Sequence, residues 1–89
     1  MAEPLVIDIQ ATPNPNAAKF TLNRVVAAQG TTYRDQASAQ PEWAKRLLGI
    51  AGVSQVFALN TFITVSKSAG GEWSIIAPQV ERVLHEAFA

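Results

Sequence analysis

Thr12, Pro13, Asn14, Pro15, Asn16 and Lys19 form the densest group of chemically useful side chains in this sequence. A hydroxyl, two amides and an amine offer hydrogen bonds and one positive charge, suited to a polar partner or a carboxylate. The two prolines each fix φ near −65° and remove a backbone donor. Thr12 and Asn14 precede them and are pushed towards extended or turn geometry. Asn14 and Asn16 can hydrogen-bond their own backbone and tolerate left-handed geometry. The stretch therefore reads as a stiff loop that holds side chains still, and a rigid polar loop suits recognition.

Other chemistry is thinly provided. His85 is the only histidine, beside Glu81 and Glu86 on a final helical segment. No second nitrogen or thiolate accompanies it, so it reads as a solvated surface residue. Asp8 and Asp35 could approach the loop, but no spacing specifies an acid–base pair. The chain has no cysteine. That excludes a disulfide, a thiol nucleophile and a thiolate zinc site. An iron–sulfur cluster normally takes about four thiolates, so the expectation is that this chain binds no cluster and no metal. Gly-rich phosphate loops, Ser-His-Asp sets and HExxH are all missing.

Composition narrows the class further. Eighty-nine residues, 48% of them apolar, make one domain over 1–89 with a single small core. Seven Lys plus Arg balance seven Asp plus Glu. Zero net charge argues against a general nucleic-acid binder. No basic amphipathic stretch points to a membrane surface. Met1-Ala2-Glu3-Pro4 has no basic region, and Asp8 interrupts the apolar run Leu5-Val6-Ile7. Neither a signal peptide nor a transmembrane span is expected, which makes the expected location cytoplasmic.

The elements that must hold the loop follow from periodicity. Leu5 to Gln10 alternates, with Leu5, Ile7 and Ile9 on one face. Lys19 to Asn23 alternates with Phe20 and Leu22 inward, so the two runs predict an antiparallel pair around the loop. Residues 24–40 give the least periodic signal. Gln29-Gly30-Thr31-Thr32 reads as a turn, with a short edge strand over 31–34. Pro41 suits a first helical turn and Ser38 a cap. Ala44, Leu47, Leu48 and Ala51 fall at helical spacing up to Gly52, a residue free to take positive φ. Val53–Ala58 and Thr61–Lys67 predict a hairpin around Leu59-Asn60. From Ser74 to Phe88, Ile76, Val80, Val83, Leu84 and Ala87 form an apolar stripe, with Trp73 at its mouth. Pro78 should blur the helix start. The order β-β-(β)-α-β-β-α predicts a two-layer α+β fold: a mainly antiparallel sheet of four or five strands, with two helices on one face.

In the second hairpin strand Ile63 and Val65 share one face, leaving Phe62 and Thr64 on the other. If helices cover the first face, Phe62 becomes an exposed aromatic in a partner-binding patch. Cover from the 24–40 segment is the competing expectation. Lys19 faces the polar side of its own strand.

These blocks resemble the N-terminal domain of Nfu/NifU-type iron–sulfur scaffold proteins. The resemblance runs through Thr12-Pro13-Asn14-Pro15-Asn16, Lys19-Phe20, Ile50-Ala51-Gly52-Val53 and Phe62-Ile63-Thr64-Val65-Ser66-Lys67, then Trp73 and Pro78. It covers nearly the whole chain in order. It implies an α+β domain in a pathway that assembles or delivers iron–sulfur clusters. In full-length members a following domain carries a CxxC pair that holds the cluster. This chain has no cysteine and ends at Ala89, so the resemblance implies an accessory role. The partners would be proteins of iron–sulfur biogenesis or apo-protein targets. The implied recognition surface is Thr12, Pro13, Asn14, Pro15, Asn16 and Lys19, with Phe62 and Thr64. A second reading from another class is a small-ligand binder or small enzyme that uses Asn14, Asn16 and Lys19. It needs a concave pocket beside Asn14, whereas a flat patch there favours the interaction module.

Overall fold

A computed structural model describes residues 4–36 and 42–88. The two alternating runs form an antiparallel pair, β1 (Ile7–Ala11) and β2 (Ala17–Leu22). Leu5 lies before β1 and is buried, while the Val6 N–H is held by the Asn23 side chain at 3.0 Å. β3 (Ala27–Tyr33) follows, then α1 (Glu42–Leu48), the hairpin β4 (Val53–Asn60) and β5 (Phe62–Lys67), and α2 (Trp73–Phe88). The sheet order is β1-β2-β5-β4-β3, antiparallel at every joint. This is the α+β architecture expected.

Pleating sorts the sheet into two faces. Phe20, Leu22, Ile63, Val65, Val56 and Ala58 point to one side. They pack there with Trp43, Ala44 and Leu47 of α1 and Ile76, Val80, Val83 and Leu84 of α2. Both helices therefore lie on that face. Lys19, Thr21, Phe62, Thr64, Phe57 and Leu59 point to the other face and are half-buried. No described helix is long and apolar enough to cross a membrane.

Several expectations need correcting. β3 begins at Ala27 and runs through the residues read as a turn, with a register shift between Ala27 and Thr31. A Cβ on Gly30 would lie 3.2 Å from the Phe57 ring, so the glycine is there for close packing. α1 stops at Leu48, where Gly49 N–H bonds back to the Lys45 and Arg46 carbonyls. Gly52 has φ +96° but lies in the loop entering β4, not at the helix end, and Ala51 is consequently exposed. The hairpin turns on Asn60, whose φ of 53° an asparagine tolerates. α2 starts at Trp73 despite Pro78, which sits on its exposed side. Ala87 is exposed because Phe88 takes the inward position, its ring 5.5 Å from that of Trp43. Asp35 follows β3, at the sheet edge opposite the loop. Ser38 and Pro41, expected to start the first helix, and Met1–Glu3 lie outside the described residues.

Candidate functional site

The β1–β2 loop is shaped by its own polar groups as much as by its prolines. The Thr12 hydroxyl lies 2.8 Å from the Asn14 carbonyl and 3.0 Å from the Ala17 carbonyl, and it accepts the Asn14 N–H at 3.2 Å. Asn14 Oδ1 accepts the Asn16 N–H at 2.9 Å. The Asn14 carbonyl also receives the Ala17 N–H at 3.0 Å. The Thr12 hydroxyl and both the backbone carbonyl and the side-chain Oδ1 of Asn14 are thus committed to the loop itself.

Two distant residues then clamp it. Trp73 Nε1–H donates to the Pro15 carbonyl at 3.1 Å. Lys67 donates twice to Asn16, from Nζ to Oδ1 at 3.1 Å and from its backbone N–H to the carbonyl at 2.7 Å. The loop is therefore tied to the end of β5 and to the first turn of α2. Pro13, Asn14, Pro15 and Asn16 remain exposed.

The surface beside Asn14 is concave. A pocket of about 250 Å³ is lined by Ile9, Gln10, Ala11, Thr12, Asn14, Pro15, Ala17, Ala18 and Trp73. Its walls are mainly aliphatic and indole, with polar groups from Gln10, Thr12 and Asn14. No lining residue is an acid, a base or a thiol.

Lys19, Phe62 and Thr64 form a second group on the helix-free face. Lys19 and Thr64 are cross-strand partners. The Lys19 ammonium stands 4.5 Å from the centre of the Phe62 ring, a cation–π distance. Phe57 flanks Phe62 at 6.1 Å between centroids. Phe62 is therefore half-buried between Lys19 and Phe57 rather than fully exposed, and part of the 24–40 segment expected as its cover lies outside the described residues. The expected surface thus divides in two: Thr12, Asn14 and Pro15 line the pocket, whereas Lys19, Phe62 and Thr64 face away from the helices.

Trp73 as a loop clamp, and Ile9 and Ala18 as pocket walls, were not among the expected site residues. An aromatic at the mouth of a helix was the one available signal. Among the described residues, no three His, Cys, Asp or Glu groups gather where they could hold a metal ion. His85 is exposed in the last turn of α2. With no cysteine in the chain, the donor set does not fit an iron–sulfur cluster. Among the described residues one carboxyl is perturbed: the Arg46 guanidinium, hydrogen-bonded to Glu86, holds it below its usual range, with a smaller contribution from Arg82.

Comparison with known proteins agrees with this architecture. Residues 7–89 match the family model described as scaffold protein Nfu/NifU N terminal. The protein named NFU1 iron-sulfur cluster scaffold homolog, mitochondrial, from Drosophila erecta is 38% identical over 88 residues, covering 96% of this chain and 31% of that protein. Its Drosophila sechellia counterpart is 39% identical over the same span. The chain thus spans about a third of these curated relatives. The crystal structure of Staphylococcus aureus protein SAV1430 superposes with a TM-score of 0.80 at 32% identity, covering 88% of this chain and 96% of that one. A Staphylococcus epidermidis protein solved by NMR gives 0.63 at 32% identity, with coverage of 90% and 94%. With that match over residues 7–89, this chain belongs to the Nfu/NifU N-terminal family of scaffold-protein domains.

Proposed function

We propose that this chain is a non-catalytic protein-interaction module, accessory to iron–sulfur cluster assembly or delivery. The single observation that carries the reading is the clamped loop. Trp73 and Lys67 fasten Pro15 and Asn16 from far along the chain, so Pro13 and Asn14 are presented with little ordering entropy left to lose on contact. Lys19, steadied over Phe62, adds a charge for an acidic partner surface. The direction towards iron–sulfur proteins comes from the relatives' name. The cluster itself is proposed to reside on another polypeptide or domain, because this chain offers no thiolate.

The pocket beside Asn14 favours a second reading, a small-ligand site. Its volume of about 250 Å³ falls just below the ~300–1,000 Å³ usual for ligand pockets. Its lining supplies no acid, base or nucleophile apart from the Thr12 hydroxyl, which faces backbone carbonyls. That supports contact rather than catalysis.

Quantitative capture from an extract of the source organism tests the proposal. Tagged wild type should enrich iron–sulfur assembly components or cluster-accepting proteins. Lys19→Ala and Asn14→Ala should lose them while still unfolding cooperatively. Equal capture by both variants places the interface elsewhere, and capture without iron–sulfur proteins contradicts the pathway.

A further inference from the structure

The directions of the β1 backbone groups follow from neighbouring hydrogen bonds. In β2, the Leu22 N–H points to β5, where it meets the Thr61 carbonyl at 2.7 Å. Alternate residues point opposite ways, so Thr21 and Lys19 turn their backbone groups to β1. Their partners there are Asp8 and Gln10. Val6, of the same parity, also turns its N–H inward, to Asn23. Ile7, Ile9 and Ala11 are left with N–H and C=O directed away from the sheet. β1 ends the strand order, and no described strand pairs with its outer side.

Sheet edges are normally blunted by bulges, proline or lysine. β3, the other edge, carries such an irregularity between Ala27 and Thr31. β1 carries none: its five residues pair in unbroken register, without proline or lysine, and Ile9 is 42% exposed. The pocket opens beside this regular edge, with Ile9 and Ala11 forming part of its wall. A strand laid along β1 would send alternate side chains to the Ile9 side of the sheet, over the pocket mouth. The ~250 Å³ available holds one bulky apolar group, since a cavity of about 150 Å³ already takes benzene.

We propose that the outer edge of β1 accepts an extended segment of a partner protein as an added strand, seating one bulky apolar side chain in the pocket between Ile9, Ala18, Pro15 and Trp73. Backbone pairing would supply affinity and the pocket selectivity. A second copy of this chain is a poorer occupant. Its own β1 would offer the pocket only Leu5, Ile7 or Ile9. Leu5 is buried in its own core, Ile7 packs against that core, and Ile9 already walls its own pocket. A foreign strand brings a side chain with no such commitment. The inference rests on reading the chain as a partner-binding module.

Amide exchange on the ¹⁵N-labelled chain tests it, with the capped peptide Lys-Thr-Val-Thr-Leu-Thr-Val-Lys as probe. Without peptide, the Ile7, Ile9 and Ala11 amides should exchange fast and those of Asp8 and Gln10 slowly. With peptide, the first three should gain protection and the Trp73 indole signal should shift. A peptide N-methylated at two alternate backbone nitrogens, which blocks pairing but keeps every side chain, should bind about tenfold more weakly or worse. Replacing its central Leu by Ala should weaken it comparably. Ala11→Pro, at an outward N–H where an edge tolerates proline, should lower affinity and leave the melting temperature close to wild type. If that variant unfolds, the N-methylated peptide still decides.

Any of four results overturns the inference. These are no protection at millimolar peptide, equal binding of the N-methylated peptide, shifts confined to Lys19 and Phe62, or concentration-dependent protection without peptide, which would mean self-association. Failure here with iron–sulfur proteins still captured removes only the edge site. Peptide binding without such capture removes only the pathway.

Discussion

The indole N–H of Trp73 reaches the carbonyl of Pro15 at 3.1 Å, joining the first turn of α2 to a loop 58 residues earlier. This bond links the fold to the candidate site. The helix that buries Ile76, Val80 and Leu84 against the sheet also fixes the wall of the pocket.

Trp73→Phe keeps an aromatic side chain but removes the N–H donor and the five-membered ring that carries it. The expected cost is about 0.5–1.5 kcal/mol, the net worth of one such hydrogen bond, with faster amide exchange across residues 12–17. Urea unfolding and hydrogen exchange read both quantities. Unchanged exchange in the loop would mean that Trp73 does not hold it.

Leu84 is fully buried in the stripe that joins α2 to the sheet. Leu84→Ala should destabilise the chain by about 2–5 kcal/mol through lost burial and a residual cavity. A loss under about 0.5 kcal/mol, typical of surface sites, would contradict the packing of α2 on the sheet.

The Arg46–Glu86 pair predicts a small acid-range effect. Glu86 has its folded-state pKa lowered, first by the Arg46 hydrogen bond and then by the Arg46 charge. A depressed carboxyl stabilises the fold above its unfolded pKa, and that contribution fades as pH falls through the lowered folded value. Wild type should therefore lose slightly more stability than Glu86→Gln between neutral and strongly acid pH, and high salt should shrink the difference. Melting curves of the two proteins that stay parallel across this range would show that the pair contributes nothing.

Much of this architecture is legible in the sequence wherever local period decides. The alternation of Phe20 with Leu22 and of Ile63 with Val65, and the spacing of Ile76, Val80, Val83 and Leu84, all mark side chains that are buried. Local signals mislead where tertiary contacts override them. Gln29-Gly30 reads as a turn, yet Gly30 is a strand residue that makes room for Phe57. Gly52 reads as a helix terminator, yet its positive φ serves the following loop. The site is harder still to read. Stiffness at Thr12–Asn16 is visible in the prolines and asparagines, but the clamps from Lys67 and Trp73 act across 51 and 58 residues. No short-range pattern encodes that distance, or a pocket that needs Ile9, Ala18 and Trp73 together.

Partner contact on this chain and cluster chemistry elsewhere are proposed to be separate, and anaerobic reconstitution tests that separation most directly. Purified chain is incubated with iron, sulfide and reductant and then desalted. Zero cysteines and one histidine cannot encircle even a two-iron cluster, since thiolates are its main ligands. The expected product is colourless protein without visible charge-transfer bands. Brown protein that keeps stoichiometric iron and sulfide through desalting would contradict that separation.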